Sequence, residues 1–256
     1  MSKLIDLLEK TGTQSIHILG FRSDTENNNK SDIVSIGRIS EKNDNPNNYF
    51  SKNNKNQPRV FLLDETISSN LSFNISKNII CGIQINPLTK YEIQRIIKLG
   101  IDFVIFDPTV SESSILNETK IGKIPIIKTT NSEEENRAIS ELPVDAIYID
   151  YLIGKSPIKF QSMIEIQKVT NAIEVPSIIH CESSIEVSDL ETIRNIGIRA
   201  IISSAKPQKD FDKLVKTINN LPVQKHTDKN YSAISPGLHK GYEDDFSDDD
   251  FDETNE

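Results

Sequence analysis

The amino-acid sequence predicts an α/β fold built on a parallel sheet, because one pattern occurs three times. In Ile96–Asp107, Ile139–Asp150 and Ile193–Ser204, the end of an amphipathic helix meets Gly or Pro, and a short apolar strand follows that ends in a polar residue. Strands that read as continuous apolar runs are typical of parallel sheets, which are buried on both faces. The repeated unit therefore indicates β–α–β crossovers.

Eight apolar segments recur at spacings that suit such crossovers. Since 256 residues accommodate one large α/β domain, they predict a single, trimmed (β/α)₈ TIM barrel. The predicted strands are Ile33–Ile39, Val60–Leu63, Ile79–Ile85, Phe103–Phe106, Ile124–Ile127, Ala146–Ile149, Ser177–Ile179 and Ala200–Ile202. The predicted helices between them are Lys90–Leu99, Glu133–Leu142, Lys159–Ala172, Asp189–Asn195 and Lys209–Asn219.

The N-terminal part is predicted to be irregular. Residues 1–10 have the pattern of an amphipathic helix, and Ser15–Phe21 has the pattern of a strand. Either Ser15–Phe21 or Ile33–Ile39 is the first barrel strand, and we favour Ile33–Ile39. Ser15–Phe21 would then be a lead-in that pairs with it or plugs the bottom of the barrel. The domain boundaries that follow are 1–32 for the helix and lead-in, 33–222 for the barrel and 223–256 for a tail.

Two segments are too polar to build a core. Residues 41–57 cannot bury enough apolar area to offset their ordering entropy, so we expect a disordered insert in place of the first helix. We also expect the acidic tail, 223–256, to be disordered. The connections Glu65–Asn78 and Pro108–Lys123 are short, which predicts irregular or single-turn helices.

The net charge of −9 arises in the tail. Residues 243–256 hold nine acidic residues and no Lys or Arg, which leaves 29 acidic against 29 basic residues in the rest of the chain. A neutral body lacks the concentrated basic patch that nucleic acid requires, so we expect no nucleic-acid partner. The tail is either a docking motif for a basic protein partner or, by default, a solubilising element.

The sequence contains no apolar run long enough to span a membrane and no signal-peptide pattern at its start, so we expect no membrane association and a cytoplasmic location. Cys81 and Cys181 are a hundred residues apart and both fall in predicted strands. We interpret them as buried, reduced thiols.

A second pattern concerns how the strands begin. Ile124–Lys128 and Val175–His180 each enter a strand through Pro, and they alternate with strands entered through Gly-Ile-Asp and Pro-Val-Asp. From Ile79 to Leu221 this alternation resembles the aldolase-type, ribulose-phosphate-binding-like barrels, such as thiamin-phosphate synthase and indole-glycerol-phosphate synthase. Within that superfamily the chain is most similar to a trimmed, degenerate bacterial branch. The resemblance implies the barrel fold and not a set of catalytic residues.

The carboxyl ends of barrel strands form the site in this fold. Lys128 ends a predicted strand and is the candidate amine for Schiff-base chemistry, if its apolar neighbours desolvate it. Asp107 and Asp150 end the strands on either side and are candidate proton carriers. The same three residues also suit an ion-pair cluster that only neutralises charge. The candidate ligand-binding residues, which also lie at or just past strand ends, are Asp64, Gln84, His180, Glu182, Ser203 and Ser204, with Arg38 and Asn86 on the same rim.

The resembled barrels bind phosphate through glycine-rich turns after the seventh and eighth strands. Here those turns read Cys181–Ser184 and Ser203–Ala205, without glycine and with Glu182 where phosphate would lie. This carboxylate disfavours an inherited phosphate site, and with it a flavin, although the Ser203–Ala205 backbone would still hold a small anion if Glu182 points away. His180, Glu182 and Asp150 suit a divalent metal by residue type, but no second histidine ends a neighbouring strand, so we expect no metal and no cofactor.

Two functions remain open. The first is a small cytoplasmic barrel that binds or transforms a carbonyl or anionic metabolite by lyase-like or isomerase-like chemistry. The second is a barrel that has lost catalysis and acts as a binding or scaffold protein through its surface and acidic tail.

Overall fold

Eight parallel strands close into a barrel in which each strand neighbours the next one in the chain and the last pairs with the first. The computed structural model describes residues 2–12, 32–40, 59–64 and 78–222. The predicted fold class, an α/β protein with a (β/α)₈ TIM barrel, is confirmed. The strands are β1 (Val34–Ile39), β2 (Arg59–Asp64), β3 (Ile79–Gln84), β4 (Phe103–Phe106), β5 (Gly122–Lys128), β6 (Ile147–Ile153), β7 (Ser177–Cys181) and β8 (Ile198–Ser204).

Six α-helices lie within the described ranges. Hydroxyl side chains fix where two of them begin: Thr89 accepts the Glu92 N–H at the start of α2 (Lys90–Lys98), and Ser132 forms a reciprocal capping box with Glu135 at the start of α3 (Glu133–Ser140). Between β4 and β5 the chain forms a short 3₁₀ helix, Ser113–Asn117, as the length of that connection predicts. The α-helices are α1 (Lys3–Gly12), α2 (Lys90–Lys98), α3 (Glu133–Ser140), α4 (Phe160–Ala172), α5 (Val187–Asn195) and α6 (Gln208–Asn219).

The first barrel strand is Val34–Ile39, the segment that the sequence favours. It pairs with β2 on one side and with β8 on the other, and so it closes the ring. Ser15–Phe21, the insert 41–57, most of the connection Glu65–Asn78 and the tail 223–256 lie outside the described residues.

Two strands are longer than predicted. The sequence places Pro125 at the entrance of β5, but the strand begins at Gly122, whose N–H already donates to the Asp102 carbonyl at 2.9 Å. In β6 the prediction ends at Ile149, whereas the strand continues to Ile153. Its register against β7 shifts between Ile149 and Leu152, so the extra residues form a β-bulge at the rim.

The barrel interior is filled by apolar side chains from the strands, and α1 closes its lower end. Leu4 and Leu8 of α1 are fully buried and pack in one cluster with Val34, Phe103 and Ala200. The N-terminal helix is therefore part of the core and performs the plugging role that the sequence assigns to Ser15–Phe21 as one alternative.

Asp102 holds α1 in this position. It lies just before β4, and its carboxylate accepts the Ser2 hydroxyl at 2.6 Å and the N–H groups of Lys3 and Leu4 at 2.8 and 2.9 Å. These N–H groups belong to the first turn of α1, where no intrahelical acceptor exists and a negative charge is favourable. A long-range contact thus caps the helix that plugs the barrel.

Gly82 makes room for an aromatic ring inside the barrel. A Cβ at this position would lie 2.2 Å from the ring of Phe103 on the adjacent strand, a distance that real Cβ atoms do not adopt. Gly82 and Phe103 are register partners, and Phe103 is fully buried. The glycine is required for close packing and not for backbone conformation.

Both cysteines are free and buried, as predicted. Burial raises the pKa of the Cys81 thiol to about 12 and also raises that of Cys181. Neither thiol is a nucleophile in this environment. Separately, none of the helices in the described ranges is long and apolar enough to cross a membrane.

Replacing Asp102 by Ala should lower the free energy of unfolding by about 1–3 kcal/mol, because three donors lose their acceptor. Urea unfolding followed by circular dichroism measures the change. Asp102→Asn keeps one carbonyl acceptor and removes the charge, so its stability should fall between those of the native protein and the alanine variant. Equal stability of Asp102→Ala and the native protein would contradict the assigned capping role.

Candidate functional site

The carboxyl ends of the strands surround an open pocket with a cavity volume of about 460 Å³. Because the strands are parallel and in register, alternate residues point inward and the last inward residue of each strand reaches this mouth. The lining residues are Arg38, Gln84, Asn86, Asp107, Pro108, Thr109, Ile126, Lys128, Asn131, Tyr148, Asp150, Tyr151, Leu152 and His180.

Five of the nine residues that the sequence nominates line this pocket: Lys128, Asp107, Asp150, Gln84 and His180. The other four lie around it. Asp64 is ion-paired to a lining residue, and Glu182 follows β7 and is half-buried. Ser204 is exposed, whereas Ser203 is buried on the outer face of β8, beside Gly37 and towards the helix layer.

Arg38 and Asp64 form an ion pair at one side of the mouth. Arg38 Nε donates to Asp64 Oδ1 at 2.8 Å, and both side chains are partly buried. The pair fixes the guanidinium at the pocket edge and offsets its charge. Asp64 therefore acts on the pocket through Arg38.

Asp107 is held in place by hydrogen bonds. Its Oδ1 accepts both the hydroxyl and the N–H of Thr109, at 2.6 and 2.8 Å, and its own N–H donates to Asn86 Oδ1 at 2.6 Å. The Thr109 hydroxyl and then the Thr109 N–H lower the pKa of Asp107, with a further contribution from the charge of Lys128. Asp107 is thus a fixed anion at neutral pH.

Lys128 and Asp150 are neighbours across the β5–β6 ladder, where they are register partners. Both side chains are exposed, and neither makes a hydrogen bond or ion pair with any residue in the described part of the chain. The structure therefore does not provide the desolvation that Schiff-base use of Lys128 requires. It places the ammonium between the carboxyl-bearing ends of β4 and β6.

His180 and Tyr148 form the inner wall of the pocket on β6 and β7. Tyr148 is 6% exposed, and burial raises the pKa of its hydroxyl. Burial, followed by the charge of Arg38, lowers the pKa of His180, while Asp64 and Glu182 act in the opposite direction. At neutral pH the wall therefore presents a neutral phenol and a neutral imidazole, and both are able to hydrogen-bond a ligand.

Three backbone donors of the turns after β7 and β8 are used within the protein. The Glu182 N–H donates to the Ile153 carbonyl at 3.0 Å, and the Ala205 N–H donates to the Arg38 carbonyl at 2.9 Å. The Lys206 N–H donates to the Ser204 hydroxyl at 3.2 Å, which itself donates to the Lys206 carbonyl at 2.7 Å. These N–H groups occupy the positions where resembled barrels bind phosphate.

The described ranges contain no group of three or more His, Cys, Asp or Glu side chains arranged to hold a metal ion. His180 lies on β7 and Glu182 follows that strand, but the two do not form such a group with Asp150.

The sequence interpretation missed several lining residues, most importantly Tyr148 and Thr109. Tyr148 precedes Asp150 by two positions, so it shares the inward face of β6, and the period-two rule identifies it once Asp150 is placed. Thr109 follows Asp107 in an Asp-Pro-Thr sequence, which is a turn signal. Tyr151 and Leu152 reach the rim because of the bulge in β6. The sequence contains no pattern that predicts this bulge.

No protein-family model and no curated protein matches this sequence. Among solved structures, the barrel is similar to a ligand-free mutant of tryptophan synthase from M. tuberculosis, at 10% identity and a TM-score of 0.50, covering 86% of this chain and 98% of that chain. It is also similar to the YdjI aldolase from Escherichia coli K12, at 12% identity and a TM-score of 0.47, covering 73% and 87% of the two chains.

At such identities the likeness shows the fold alone. The shared fold is the (β/α)₈ barrel, so the barrel fold that the resemblance implies is confirmed. The residues of the mouth must carry any argument about chemistry.

Replacing Arg38 by Gln should raise the pKa of His180. The native imidazole should titrate below its ordinary value of 6.5, and loss of the Arg38 charge leaves Asp64 and Glu182 to stabilise the protonated form. NMR pH titration of the histidine ring protons measures the change, with His180→Asn to assign the signal among the four histidines.

The matched control is Arg199→Gln, since Arg199 lies at the opposite end of the barrel. It should leave the midpoint of His180 unchanged. A midpoint that stays constant or falls in Arg38→Gln would show that Arg38 does not set the charge state of the wall.

Proposed function

We propose that the mouth of the barrel binds a small carbonyl metabolite and transforms it by acid–base chemistry of the lyase or isomerase type. One observation carries the proposal: Lys128, Asp150 and His180 all line the same pocket, and none of their side chains has a hydrogen-bond or ion-pair partner among the described residues. Ionisable groups that face a cavity without protein partners are available to a ligand.

In this proposal each charged residue has a distinct role. The Lys128 ammonium binds the carbonyl oxygen of the substrate, and Asp150 accepts a proton from the adjacent carbon. The electron pair of that C–H bond forms an enolate, and Lys128 stabilises its negative oxygen. In an α-hydroxycarbonyl, Asp150 returns the proton to the former carbonyl carbon while a proton moves between the two oxygens, and this completes an isomerisation. In a lyase reaction the enolate instead expels a hydroxyl group from the β-carbon, which leaves as water with the proton that Asp150 accepted.

Asp107 and Tyr148 support the same step. Asp107 is a fixed anion on the strand beside β5, and it interacts electrostatically with Lys128. Tyr148 presents a hydroxyl that stays protonated well above neutral pH and is able to donate to the enolate. Reduced, buried thiols fit a cytoplasmic setting, which we include in the proposal.

A second candidate is a barrel that binds another protein and does not catalyse a reaction. Phe160 is 81% exposed and Ile164, one turn along α4, is 39% exposed, so the helix presents apolar surface to solvent. The acidic tail would then add contacts to a basic partner. Ligand binding at the mouth that depends on Lys128 would favour the enzymatic candidate over this one.

Thermal shift measurements against small aldehydes, ketones and oxoacids test the proposed function. A binding compound should raise the melting temperature of the native protein, and Lys128→Ala should weaken binding about tenfold or more, because a charge-assisted hydrogen bond contributes about 1.5–3 kcal/mol. Lys120→Ala is the matched control, since Lys120 is an exposed lysine before β5, at the lower end of the barrel.

Two outcomes would count against the proposal. A panel without any Lys128-dependent shift would remove the ligand-binding claim. If borohydride traps an aldehyde on Lys128, then Lys128 forms a Schiff base and does not act as an ammonium group. The location of the site would stand, and the proposed role of Lys128 would be wrong.

A further inference from the structure

We propose that the ligand of this pocket is an uncharged, hydroxylated carbonyl compound and not a phosphate ester. The inference rests on the proposed function and narrows its substrate class. Three features of the described residues support it: the internal use of backbone donors, the charge balance of the mouth and the position of Gln84.

The first feature is the state of the turns after β7 and β8. A barrel that binds phosphate presents backbone N–H groups there to the anion. In this chain the N–H groups of Glu182, Ala205 and Lys206 already donate to protein oxygens. Binding a phosphate at these groups would require breaking those bonds.

The second feature is the electrostatic balance. Arg38 and Lys128 are the cations of the described mouth, and Arg38 is paired with Asp64. Asp107 and Asp150 line the same pocket, and Glu182 lies near enough to His180 to raise its pKa. With His180 neutral, the two lining carboxylates balance the two lining cations, and the adjacent Asp64 and Glu182 outnumber Lys206, the cation of the turn after β8. A phosphate dianion would therefore meet net repulsion, which an uncharged ligand avoids.

The third feature is an unpaired acceptor in the pocket wall. Gln84 Oε1 is buried and has no hydrogen-bond partner among the described residues. A buried acceptor of this kind is costly unless a ligand supplies the donor. A hydroxyl group supplies one, whereas an ionised phosphate oxygen does not. Gln84 thus selects for a hydroxylated ligand.

The experiment compares free sugars with their phosphate esters in matched pairs. The probes are dihydroxyacetone, erythrose and ribose, each tested beside its terminal phosphate ester with the full chain by isothermal titration calorimetry and saturation-transfer NMR. We expect at least one free sugar to bind about tenfold or more tightly than its ester, and Gln84→Leu to weaken that binding about tenfold. Inorganic phosphate should not displace the bound sugar.

The matched control is Gln94→Leu, since Gln94 is an exposed glutamine on α2 outside this pocket. Circular dichroism melts of both variants separate loss of binding from loss of fold, and Gln84→Met, which also lacks the amide acceptor, serves as a second variant if Gln84→Leu does not fold. Equal or tighter binding of an ester would overturn this inference and leave the proposed function standing. No binding by any member of any pair would overturn both.

Discussion

The alternation of inward and outward side chains around the closed parallel barrel is the constraint on which the rest of this structure depends. Every second residue of each strand points inward, and the strand pairing keeps this alternation from β1 round to β8, with register shifts only between β6 and β7 and between β7 and β8. Side chains as distant in the chain as Arg38 and His180 are thereby placed in one layer at the mouth. A single-residue slip in one strand would turn its charged end towards the helices.

Strand positions were predictable because a short, continuous apolar run between turn residues is typical of a buried parallel strand. The strand Phe103–Phe106, for example, has the same bounds in the sequence prediction and in the structure. The residues of the pocket rim were predictable where they follow the inward–outward alternation of a strand, as Lys128 and Asp107 do. The bulge in β6 was not, because bulges depend on pairing between strands and leave the local apolar pattern unchanged. The ion pair of Arg38 with Asp64 likewise depends on side-chain geometry across two strands.

The mouth divides its polar groups into two sets. Asp64 and Asp107 are held by Arg38 and Thr109, and they fix the local field. Lys128 and Asp150 are uncommitted within the described residues. Such a division keeps the electrostatic environment constant while other groups exchange protons or ligands. The β6 bulge adds Tyr151 to the same rim, and its hydroxyl donates to Ser162 Oγ at 2.7 Å, which ties the rim to α4.

The carboxylate of Asp102 joins the first turn of the chain to a strand about a hundred positions later. Closing so long a loop costs entropy that only an assembled ring recovers. The amide hydrogens of Lys3 and Leu4 therefore serve as reporters of ring assembly. Their exchange with solvent deuterium should slow only after β4 has joined the barrel. Two amides near the start of the sequence therefore report the assembly of a strand near its middle.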